Sequence, residues 1–424
     1  MRVFLSAGEP SGDHHAALLV RELRARRPDV ECVGLGGPRM EAAGCRLVAD
    51  LTRLAVMWFL RVAISIHRFV ELARRAERSF LDARPDVCVL VDFPGFHWWL
   101  AWRARRHRIP VVFYCPPQIW AWASWRIGKM RRLVDHVLSA LPFEHEWFTA
   151  QGMASTLVGH PFFDECVGHP HPGLLPAGNE DRRPSPQPAA AGGPLVLLLP
   201  GSRGQEIGGN LGGILRAAAA VRRQVPEARF AVGALHERHA ARVRELIASS
   251  AVARGLGILV EAGRTAELIA RADVAIACSG SVSLELLAAR VPTVIVYRIG
   301  GFAYVMQSCL RHARFITLVN LLACREPVGP VRPVLLPPRG VPAADPECVF
   351  PEYLAVADPA DRVAGHVIEW LQDPAALDRA RARVDAVAVR VAQPGSAARA
   401  AAAVLAIAAG TVPVKQGGEI RQAA

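Results

Sequence analysis

Short apolar runs alternate with polar, arginine-rich stretches along the first 141 residues of the chain. Each run has five or six residues, most of them Val, Leu, Ile or Cys, and Gly or Pro often stands beside it. Such runs are typical of strands that are buried on both faces of a parallel sheet, and the stretches between them predict covering helices. The predicted strands lie at residues 2–7, 30–34, 87–91, 111–115 and 136–141.

A second and clearer series begins at residue 195. Its apolar runs again alternate with amphipathic segments, which predicts a second doubly wound α/β unit. The predicted strands lie at residues 195–199, 230–234, 258–262, 274–278 and 293–297. The predicted helices lie at residues 209–224, 236–249, 265–271 and 281–290.

The fold class that this pattern predicts is α/β, with two Rossmann-like doubly wound domains that face a cleft. Residues 1–166 form the first domain and residues 195–360 the second. Between them, residues 167–194 are rich in Pro, Gly and small polar residues, which predicts a linker or a surface insertion. Helices at residues 361–408 follow, and whether they cross back stays open; residues 409–424 are predicted to form a flexible tail.

Composition and charge narrow the class of protein. With 52% hydrophobic residues the chain is too apolar to be disordered, and its net charge of +12 comes almost entirely from arginine. That charge suits phosphate-bearing ligands and anionic membranes as well as it suits nucleic acid.

The nine cysteines are scattered, which predicts reduced thiols in a cytosolic protein and neither disulfides nor a zinc site. No window of about 18 apolar residues is free of charge, so no spanning helix is expected.

The segment GEPSGD follows the first predicted strand directly. Its small residues allow a ligand to approach the backbone closely, and its carboxylates are suited to sugar hydroxyls. A tight turn with a serine N-cap accounts for the same residues equally well. The segment is neither a Walker loop nor G-x-G-x-x-G, so it does not favour ATP or a dinucleotide. The candidate binding residues here are Gly8, Glu9, Ser11 and Asp13.

The second domain has a candidate phosphate site after its first strand. Gly201, Ser202 and Arg203 form a small turn there, and the guanidinium offers a planar fork of donors to phosphate oxygens. The alternative is a surface arginine paired with Glu206.

A third segment follows the strand at residues 274–278 and contains Ser279, Gly280, Ser281 and Glu285. A helix end facing phosphate, with a carboxylate for ribose hydroxyls, suits a nucleoside diphosphate. A capped helix with a capping-box glutamate is the alternative. Both segments follow the carboxyl ends of strands that belong to one predicted sheet, so they could converge. Together they predict a site for a nucleoside diphosphate.

Asp92 ends the predicted strand at residues 87–91, which is a good position for a general base. It could equally cap the helix that follows. His97 is a candidate second base, although a histidine beside two tryptophans more often packs in a core. Trp120, Trp122 and Trp125 could form a sugar-stacking or acyl-facing wall, and aromatic core is the simpler interpretation of each.

Taken together, these segments resemble the lipid-A-disaccharide synthase family of glycosyltransferases, which have two Rossmann-like domains (the GT-B type). The motifs follow the family's order across both predicted domains. They are AGEPSGD (7–13), GGPRM (36–40), LAVM (54–57), PDV (85–87) leading to Asp92, PPQIWAW (116–122), LPFE (141–144), VGHP (158–161), LPGSR (199–203), SGSVSLE (279–285), YR (297–298) and NLLACRE (320–326).

The resemblance implies an inverting hexosyltransferase. UDP-2,3-diacylglucosamine would donate its sugar to 2,3-diacylglucosamine 1-phosphate, giving lipid A disaccharide 1-phosphate and UDP. Asp92 would be the catalytic base, and no metal or other cofactor is expected because UDP is part of the donor. The implied acceptor-binding residues are Gly8, Glu9, Ser11, Asp13, Gln118 and Trp120; the nucleotide-binding residues are Gly201, Ser202, Arg203, Ser279, Gly280, Ser281 and Glu285; and further cleft residues are Glu206, Asn320, Arg325 and Glu326.

The implied partners are the two acylated sugars and an anionic membrane surface, and not nucleic acid. The implied location is cytoplasmic, peripheral at the inner face of the cytoplasmic membrane. Seven arginines of the first domain could attract anionic lipid: Arg61, Arg68, Arg74, Arg75, Arg103, Arg105 and Arg106. The oligomeric state stays open, with a homodimer as one alternative.

The chain departs from the family pattern on the presumed acceptor side. Trp58 and Arg61 stand where the family usually shows glycine and glutamate, and Gly95 and His97 replace its usual aspartate and asparagine. A proline-rich stretch at residues 327–349, predicted to be a loop, also intervenes after NLLACRE.

Two rival classes follow from these observations. One is another GT-B enzyme, such as a UDP-N-acetylglucosamine 2-epimerase, which would keep the Arg203 and Glu285 sites without an acylated acceptor. The other is a non-catalytic relative that binds lipid or nucleotide.

Overall fold

The computed structural model describes residues 1–52, 59–164, 192–329, 340–341, 344–411, 415–416 and 419–420. The LAVM motif, Trp58, the side chain of Arg61 and the predicted linker up to residue 191 lie outside the described residues. Parts of the predicted loop at 327–349 and of the predicted tail also lie outside them.

Contacts divide the chain into two compact units. The first comprises Met1–Glu165 and Gln393–Ala424, and the second comprises Cys166–Ala392. Each contains a parallel sheet flanked by helices, so the predicted pair of Rossmann-like units is confirmed.

The first unit has a seven-stranded sheet in the order β3-β2-β1-β4-β5-β6-β7. Its strands are β1 (Arg2–Ala7), β2 (Glu31–Gly36), β3 (Arg46–Asp50), β4 (Val87–Val91), β5 (Val111–Tyr114), β6 (His136–Ser139) and β7 (Ser155–Leu157). Its helices up to residue 150 are α1 (Pro10–Arg26), α2 (Pro38–Ala42), α3 (Phe59–Asp82), α4 (Pro94–Arg106), α5 (Ile119–Trp122), α6 (Ile127–Leu133) and α7 (Pro142–Ala150).

The second unit has a six-stranded sheet in the order β10-β9-β8-β11-β12-β13. Its strands are β8 (Leu195–Leu199), β9 (Arg229–Ala234), β10 (Leu259–Ala262), β11 (Val274–Cys278), β12 (Thr293–Arg298) and β13 (Glu352–Ala355). Its helices are α8 (Gly204–Gln224), α9 (Glu237–Ser249), α10 (Thr265–Arg271), α11 (Val282–Ala288), α12 (Gly301–Leu310), α13 (Leu318–Ala323), α14 (Ala360–Gln372) and α15 (Pro374–Val391).

The last helix, α16 (Ser396–Ala408), belongs to the first unit, and a short antiparallel pair, β14 (Lys415–Gln416) and β15 (Glu419–Ile420), follows it. The sequence grouped all helices from residue 361 to 408, whereas the structure divides them after α15. The reason is that Ala400, Val404 and Ile407 of α16 are buried in the core of the first unit, where α16 packs on α1.

Alternate residues of the central strands are buried on opposite faces of the first sheet. In β4, Cys88 and Leu90 belong to one core, and Val87, Val89 and Val91 belong to the other. This is the two-sided burial that the continuous apolar runs predict.

Some elements differ from the sequence prediction. The edge strands β3, β7 and β13 were not predicted, because several of their residues are partly exposed and no continuous apolar run marks them. Helix α8 begins at Gly204 instead of residue 209. The carboxylate of Glu206 accepts the backbone N–H groups of Ser202 and Arg203, which starts the helix five residues earlier.

One helical stretch, Pro374–Ala408, is long and apolar enough to cross a membrane, judged by length and composition. It consists of α15 and α16, which are interrupted at residues 392–395 and pack in different units. Both helices bury apolar faces against protein, for example at Val384 in α15 and Val404 in α16. The protein buries 33% of its most apolar 18-residue window, so core packing accounts for part of its apolar composition.

Candidate active site

The strand order of the first sheet reverses between β1 and β4, which makes their carboxyl ends the topological switch point. Ala7 pairs with Val91, so the turn at residues 8–13 and Asp92 leave the sheet side by side. Gly12 lies so close that a Cβ there would be 3.6 Å from Cβ of Asp92. The two candidate segments of the first domain therefore form one site.

Glycine is required at position 8 of this turn. A Cβ on Gly8 would come within 2.2 Å of the ring of Phe93, which covers it. Asp92 and Phe93 both have left-handed backbone conformations, with φ of 54° and 52°. Consecutive non-glycine residues in this region are strained, and such strain concentrates at functional sites.

The carboxylate of Asp92 has the environment of a base. It accepts one hydrogen bond, from the backbone N–H of Phe93 at 2.9 Å, and burial raises its pKa. No ion pair involves it among the residues that the structure describes. A raised pKa makes this carboxylate a stronger base than an ordinary aspartate.

His97 is fully buried and holds the backbone of Asp92. Its Nδ1 lies 2.5 Å from the carbonyl oxygen of Asp92, and its Nε2 lies 3.0 Å from Oγ of Ser6. A carbonyl only accepts, so Nδ1 carries the proton and Ser6 donates to Nε2. Burial lowers the pKa of His97 to about 3, which keeps the ring neutral. The packing interpretation of His97 is the one that its position supports.

Within the turn, exposed and buried residues have different tasks. Glu9 and Ser11 are exposed at the start of α1 and are accessible to a ligand. The carboxylate of Asp13, by contrast, is buried and accepts the backbone N–H groups of Gly37, Arg39 and Met40. Asp13 therefore caps α2. The prediction that its carboxylate binds hydroxyls of the acceptor is wrong, because that carboxylate is buried.

Trp120 also belongs to the core. It is 1% exposed, and its Nε1 donates to Glu144 at 3.0 Å. The prediction that Trp120 binds the acceptor by stacking is therefore wrong, because a sugar cannot reach the buried ring. Gln118, just before α5, is exposed and remains a candidate for the acceptor.

The second sheet has its switch point between β8 and β11. Leu199 pairs with Ala277, so the two segments predicted to converge do leave adjacent strands. Gly201 has a φ of 125°, and a Cβ there would lie 2.5 Å from Cβ of Glu206. Only glycine fits this turn without strain.

Arg203 is available to an anionic ligand at this switch point. Its guanidinium donates one hydrogen bond to Glu206 at 3.1 Å, yet 73% of its side chain is exposed. The predicted ion pair with Glu206 therefore exists, and it leaves most of the Arg203 side chain facing solvent, so phosphate binding by Arg203 stays a prediction. Backbone N–H groups at the start of α8 lie beside it.

The serine-rich segment after β11 is fixed by internal hydrogen bonds. Ser279 donates to the carbonyl of Ile316 at 3.0 Å, and Ser283 donates to the carbonyl of Gly280 at 2.8 Å. Gly280 and Ser281 are exposed, Glu285 is half-buried, and Ser281 makes no side-chain cap. Gly280 and Ser281 of the turn are therefore accessible to a ligand, and phosphate binding there stays a prediction.

Asn210 was missed by the sequence analysis. It is buried in α8, where its amide group donates to Sγ of Cys278 and accepts from the backbone N–H of Arg298. It thereby fixes the ends of β11 and β12 around the site. An asparagine on the apolar face of a predicted helix, four residues after Glu206, was the available signal.

Asn320 is not exposed to a ligand. It is 1% exposed and hydrogen-bonds to Val349, Phe350 and the carboxylate of Glu352. The prediction that Asn320 is a cleft residue is therefore wrong, and its role is structural. Arg325 and Glu326, in contrast, are exposed.

Among the described residues, no group of three His, Cys, Asp or Glu side chains could hold a metal ion.

The two units, each with a parallel sheet and flanking helices, define a protein of the GT-B fold class. UDP-GlcNAc 2-epimerase from Neisseria meningitidis, solved with UDP-GlcNAc bound, is similar with a TM-score of 0.57 at 11% identity, covering 96% of this chain and 99% of that one. MurG from Acinetobacter baumannii is similar with a TM-score of 0.54 at 11% identity, covering 95% and 99%. At this identity the likeness is one of fold.

Sequence comparison identifies the family. The family model for lipid-A-disaccharide synthetase matches residues 3–330. The lipid-A-disaccharide synthase of Anaeromyxobacter sp. (strain K) is 32% identical over 406 residues, which are 96% of this chain and 97% of that protein. That of Myxococcus xanthus (strain DK1622) is 34% identical over 327 residues, 77% and 82% of the two chains.

The chain belongs to the lipid-A-disaccharide synthase family, which confirms the resemblance carried by its motifs. It is therefore an enzyme, a glycosyltransferase of lipid A biosynthesis that acts on a UDP-sugar and lipid substrates.

Proposed function

We propose that this enzyme transfers 2,3-diacylglucosamine from UDP to the 6-hydroxyl of 2,3-diacylglucosamine 1-phosphate. The products are the β(1→6)-linked disaccharide 1-phosphate and UDP. The observation that supports this most strongly is Asp92, a carboxylate with a raised pKa at the switch point of the first sheet. The family membership supplies the substrate class.

In the proposed step, the acceptor oxygen forms a bond to the anomeric carbon while the bond from that carbon to UDP breaks. Asp92 takes the proton of the acceptor hydroxyl, and the electron pair of the breaking bond goes to the β-phosphate of UDP. A base within hydrogen-bond reach contributes roughly 10²–10⁴ in rate. A single displacement of this kind inverts the anomeric configuration.

The second unit would stabilise the departing UDP. The exposed guanidinium of Arg203 suits phosphate oxygens, and the N-terminal end of α8 adds partial positive charge. The turn at Ser279, Gly280 and Ser281 offers further backbone donors. With these groups stabilising the leaving group, the proposed reaction uses no metal or other cofactor.

Both proposed substrates carry acyl chains, so we propose that the enzyme works in the cytoplasm, peripherally at the inner face of the cytoplasmic membrane. The proposed chemistry is the same for a monomer and for a homodimer.

The test is UDP release from UDP-2,3-diacylglucosamine, measured with and without the acylated sugar phosphate and followed by mass analysis of the products. Acceptor-dependent release together with a disaccharide product is expected. Sugar rearrangement without acceptor would indicate an epimerase, and binding without release would indicate a non-catalytic relative; either result would overturn the proposal.

A further inference from the structure

Tryptophan and positive charge are concentrated in one stretch of the first unit. Residues 93–134 contain six of the nine tryptophans of the chain and eight Arg or Lys residues, but no Asp or Glu. The chain as a whole has 38 acidic residues against 50 basic ones, so this stretch departs strongly from its average composition. Trp98 and Trp120 are buried, whereas the other four tryptophans are exposed.

Helix α4 carries two of the exposed rings on one side. Gly95, Trp99, Trp102 and Arg106 are spaced four, three and four residues apart, which places them along one helical face, and all four are exposed. Trp99 is 41% exposed and Trp102 47%. The guanidinium of Arg106 lies 4.9 Å from the ring centroid of Trp102. A cation therefore accompanies the indole at the surface.

The segment at the end of α5 carries the other two rings. Trp122 is 47% exposed and Trp125 60%, and their rings meet edge-on with centroids 6.4 Å apart. Arg126 lies 4.9 Å from the centroid of Trp122. This pair repeats the combination of an exposed indole and a cation that α4 shows.

Helix α6 connects the two pairs. Nζ of Lys129 lies 5.1 Å from the ring centroid of Trp98, so α6 packs on α4 through this contact. Desolvation, together with the charges of Arg126 and Arg132, lowers the pKa of Lys129. Within the part of the chain that the structure describes, Arg126, Lys129 and Arg132 form no ion pair. Like charges held together in this way favour an anionic partner.

Of the arginines that the sequence analysis offered for lipid, Arg103 and Arg105 do not provide this charge, whereas Arg106 does. Arg103 pairs with Glu77, and Arg105 pairs with Asp135, so both charges are compensated within the unit. The uncompensated cations lie instead beside the exposed tryptophans.

We propose that one surface of the first unit docks on a membrane that contains anionic phospholipid, and we call it the tryptophan–arginine surface. It is formed by Trp99, Trp102, Arg106, Trp122, Trp125 and Lys129. Indole rings prefer the headgroup level of a bilayer, because they combine an apolar body with one N–H donor. The cations would contact the lipid phosphates. The inference rests on the proposed function only in that acylated substrates bring the enzyme to a membrane.

Sedimentation of the full-length protein with vesicles of phosphatidylcholine, with and without phosphatidylglycerol, tests this surface. The charge variant Arg106→Gln/Lys129→Gln should bind the anionic vesicles about 25-fold more weakly, at about fivefold for each cation. Trp99→Ala/Trp102→Ala and Trp122→Ala/Trp125→Ala should each lose about tenfold. The matched control is Arg223→Gln/Arg254→Gln, which removes two exposed arginines of the second unit and should bind like wild type.

A second readout separates this inference from the proposed function. Turnover of detergent-dispersed substrates in neutral micelles should be the same in wild type and in Trp99→Ala/Trp102→Ala. If wild type binds anionic vesicles through these residues but forms no disaccharide, the docking surface stands and the proposed function fails. If all variants bind vesicles like wild type, the inference is overturned. It is also overturned if the tryptophan variants change only the oligomeric state, because the partner is then a second copy of the chain.

Discussion

Asp92 depends on its neighbours in the first unit for its conformation. Its left-handed backbone, with φ of 54°, is held by the hydrogen bond from His97 to its carbonyl oxygen, and Ser6 fixes the tautomer of that histidine. His97 stands where the family usually shows asparagine. An asparagine amide also carries an N–H donor that can reach a carbonyl, so the two residues can do the same work.

We therefore predict that His97 is a positioning residue for the base. His97→Ala should lower kcat about 10- to 100-fold, because small displacements of a reacting group are costly, and KM should change little. His97→Asn should retain most of the activity. Steady-state kinetics of both variants, with their pH profiles, provide the measurement. Equal losses in the two variants, or none in either, would contradict this role.

Glu144 gives a prediction about stability and pH. Burial raises its pKa from 4.5 to about 7, with hydrogen bonds from Trp120 and Ala140 opposing the shift. The folded protein therefore holds a proton that the unfolded chain has released, so the free energy of unfolding attributable to Glu144 falls as pH rises from about 4.5 to 7.

We predict that Glu144→Gln lacks this decline. Urea unfolding of wild type and variant should show a stability difference that shifts in favour of the variant as pH rises through this window. Taking the difference cancels the titration of the buried histidines, which both proteins share. A difference that is independent of pH would contradict the prediction.

At the scale of single residues, side-chain chemistry was predictable and burial was not. Asp92, Arg203 and Gly201 lie where the sequence analysis expected functional groups. Asp13 and Asn320 have equally suitable chemistry, but their partners are backbone groups distant in sequence. No local pattern shows whether a carboxylate or an amide turns outward to a ligand or inward to a helix end.

At the scale of elements, the residues of the candidate site follow the carboxyl ends of strands. The central strands were predictable because both faces of each sheet are covered, which leaves continuous apolar runs. The edge strands β3, β7 and β13 lacked that signal. The order of strands, and hence the switch points at β1/β4 and β8/β11, required the structure.

Asn320 supplies a prediction at this scale, because it fastens α13 to the chain entering β13. Asn320→Ala would leave the buried N–H groups of Val349 and Phe350 without their acceptor. We expect the free energy of unfolding to fall by about 3 kcal/mol. Arg325→Ala, an exposed neighbour, should change it by less than about 0.5 kcal/mol.

Chemical denaturation of the two variants checks this assignment. If Asn320→Ala retains wild-type stability and only raises KM, Asn320 is a ligand-binding residue after all.

At the scale of the whole molecule, the first unit is completed by the end of the chain. Asp164 accepts the backbone N–H groups of Gly395, Ser396 and Ala397, which caps α16 where the chain returns to this unit. The sequence analysis left this return open, since the composition of α15 and α16 does not show which unit each helix packs against.

Removal of residues 393–424 should therefore destabilise the first unit. The truncation uncovers the face of α1 that α16 packs against, so we expect a lower melting temperature and aggregation. The shorter deletion of residues 412–424 leaves α16 intact and is the control. Thermal unfolding of both truncations is the measurement, and equal stability of the two would contradict the assigned role of α16.

The central claim is that Asp92 takes the proton of the acceptor hydroxyl during sugar transfer. It is tested most directly by the turnover of Asp92→Asn at saturating donor and acceptor, with UDP binding measured on the same sample. The account predicts a loss of roughly 10²–10⁴ in kcat with unchanged UDP binding. It also predicts that wild-type kcat falls as pH decreases through the raised pKa of Asp92, and that this limb is absent from the residual activity of the variant. Normal turnover by Asp92→Asn would contradict the account.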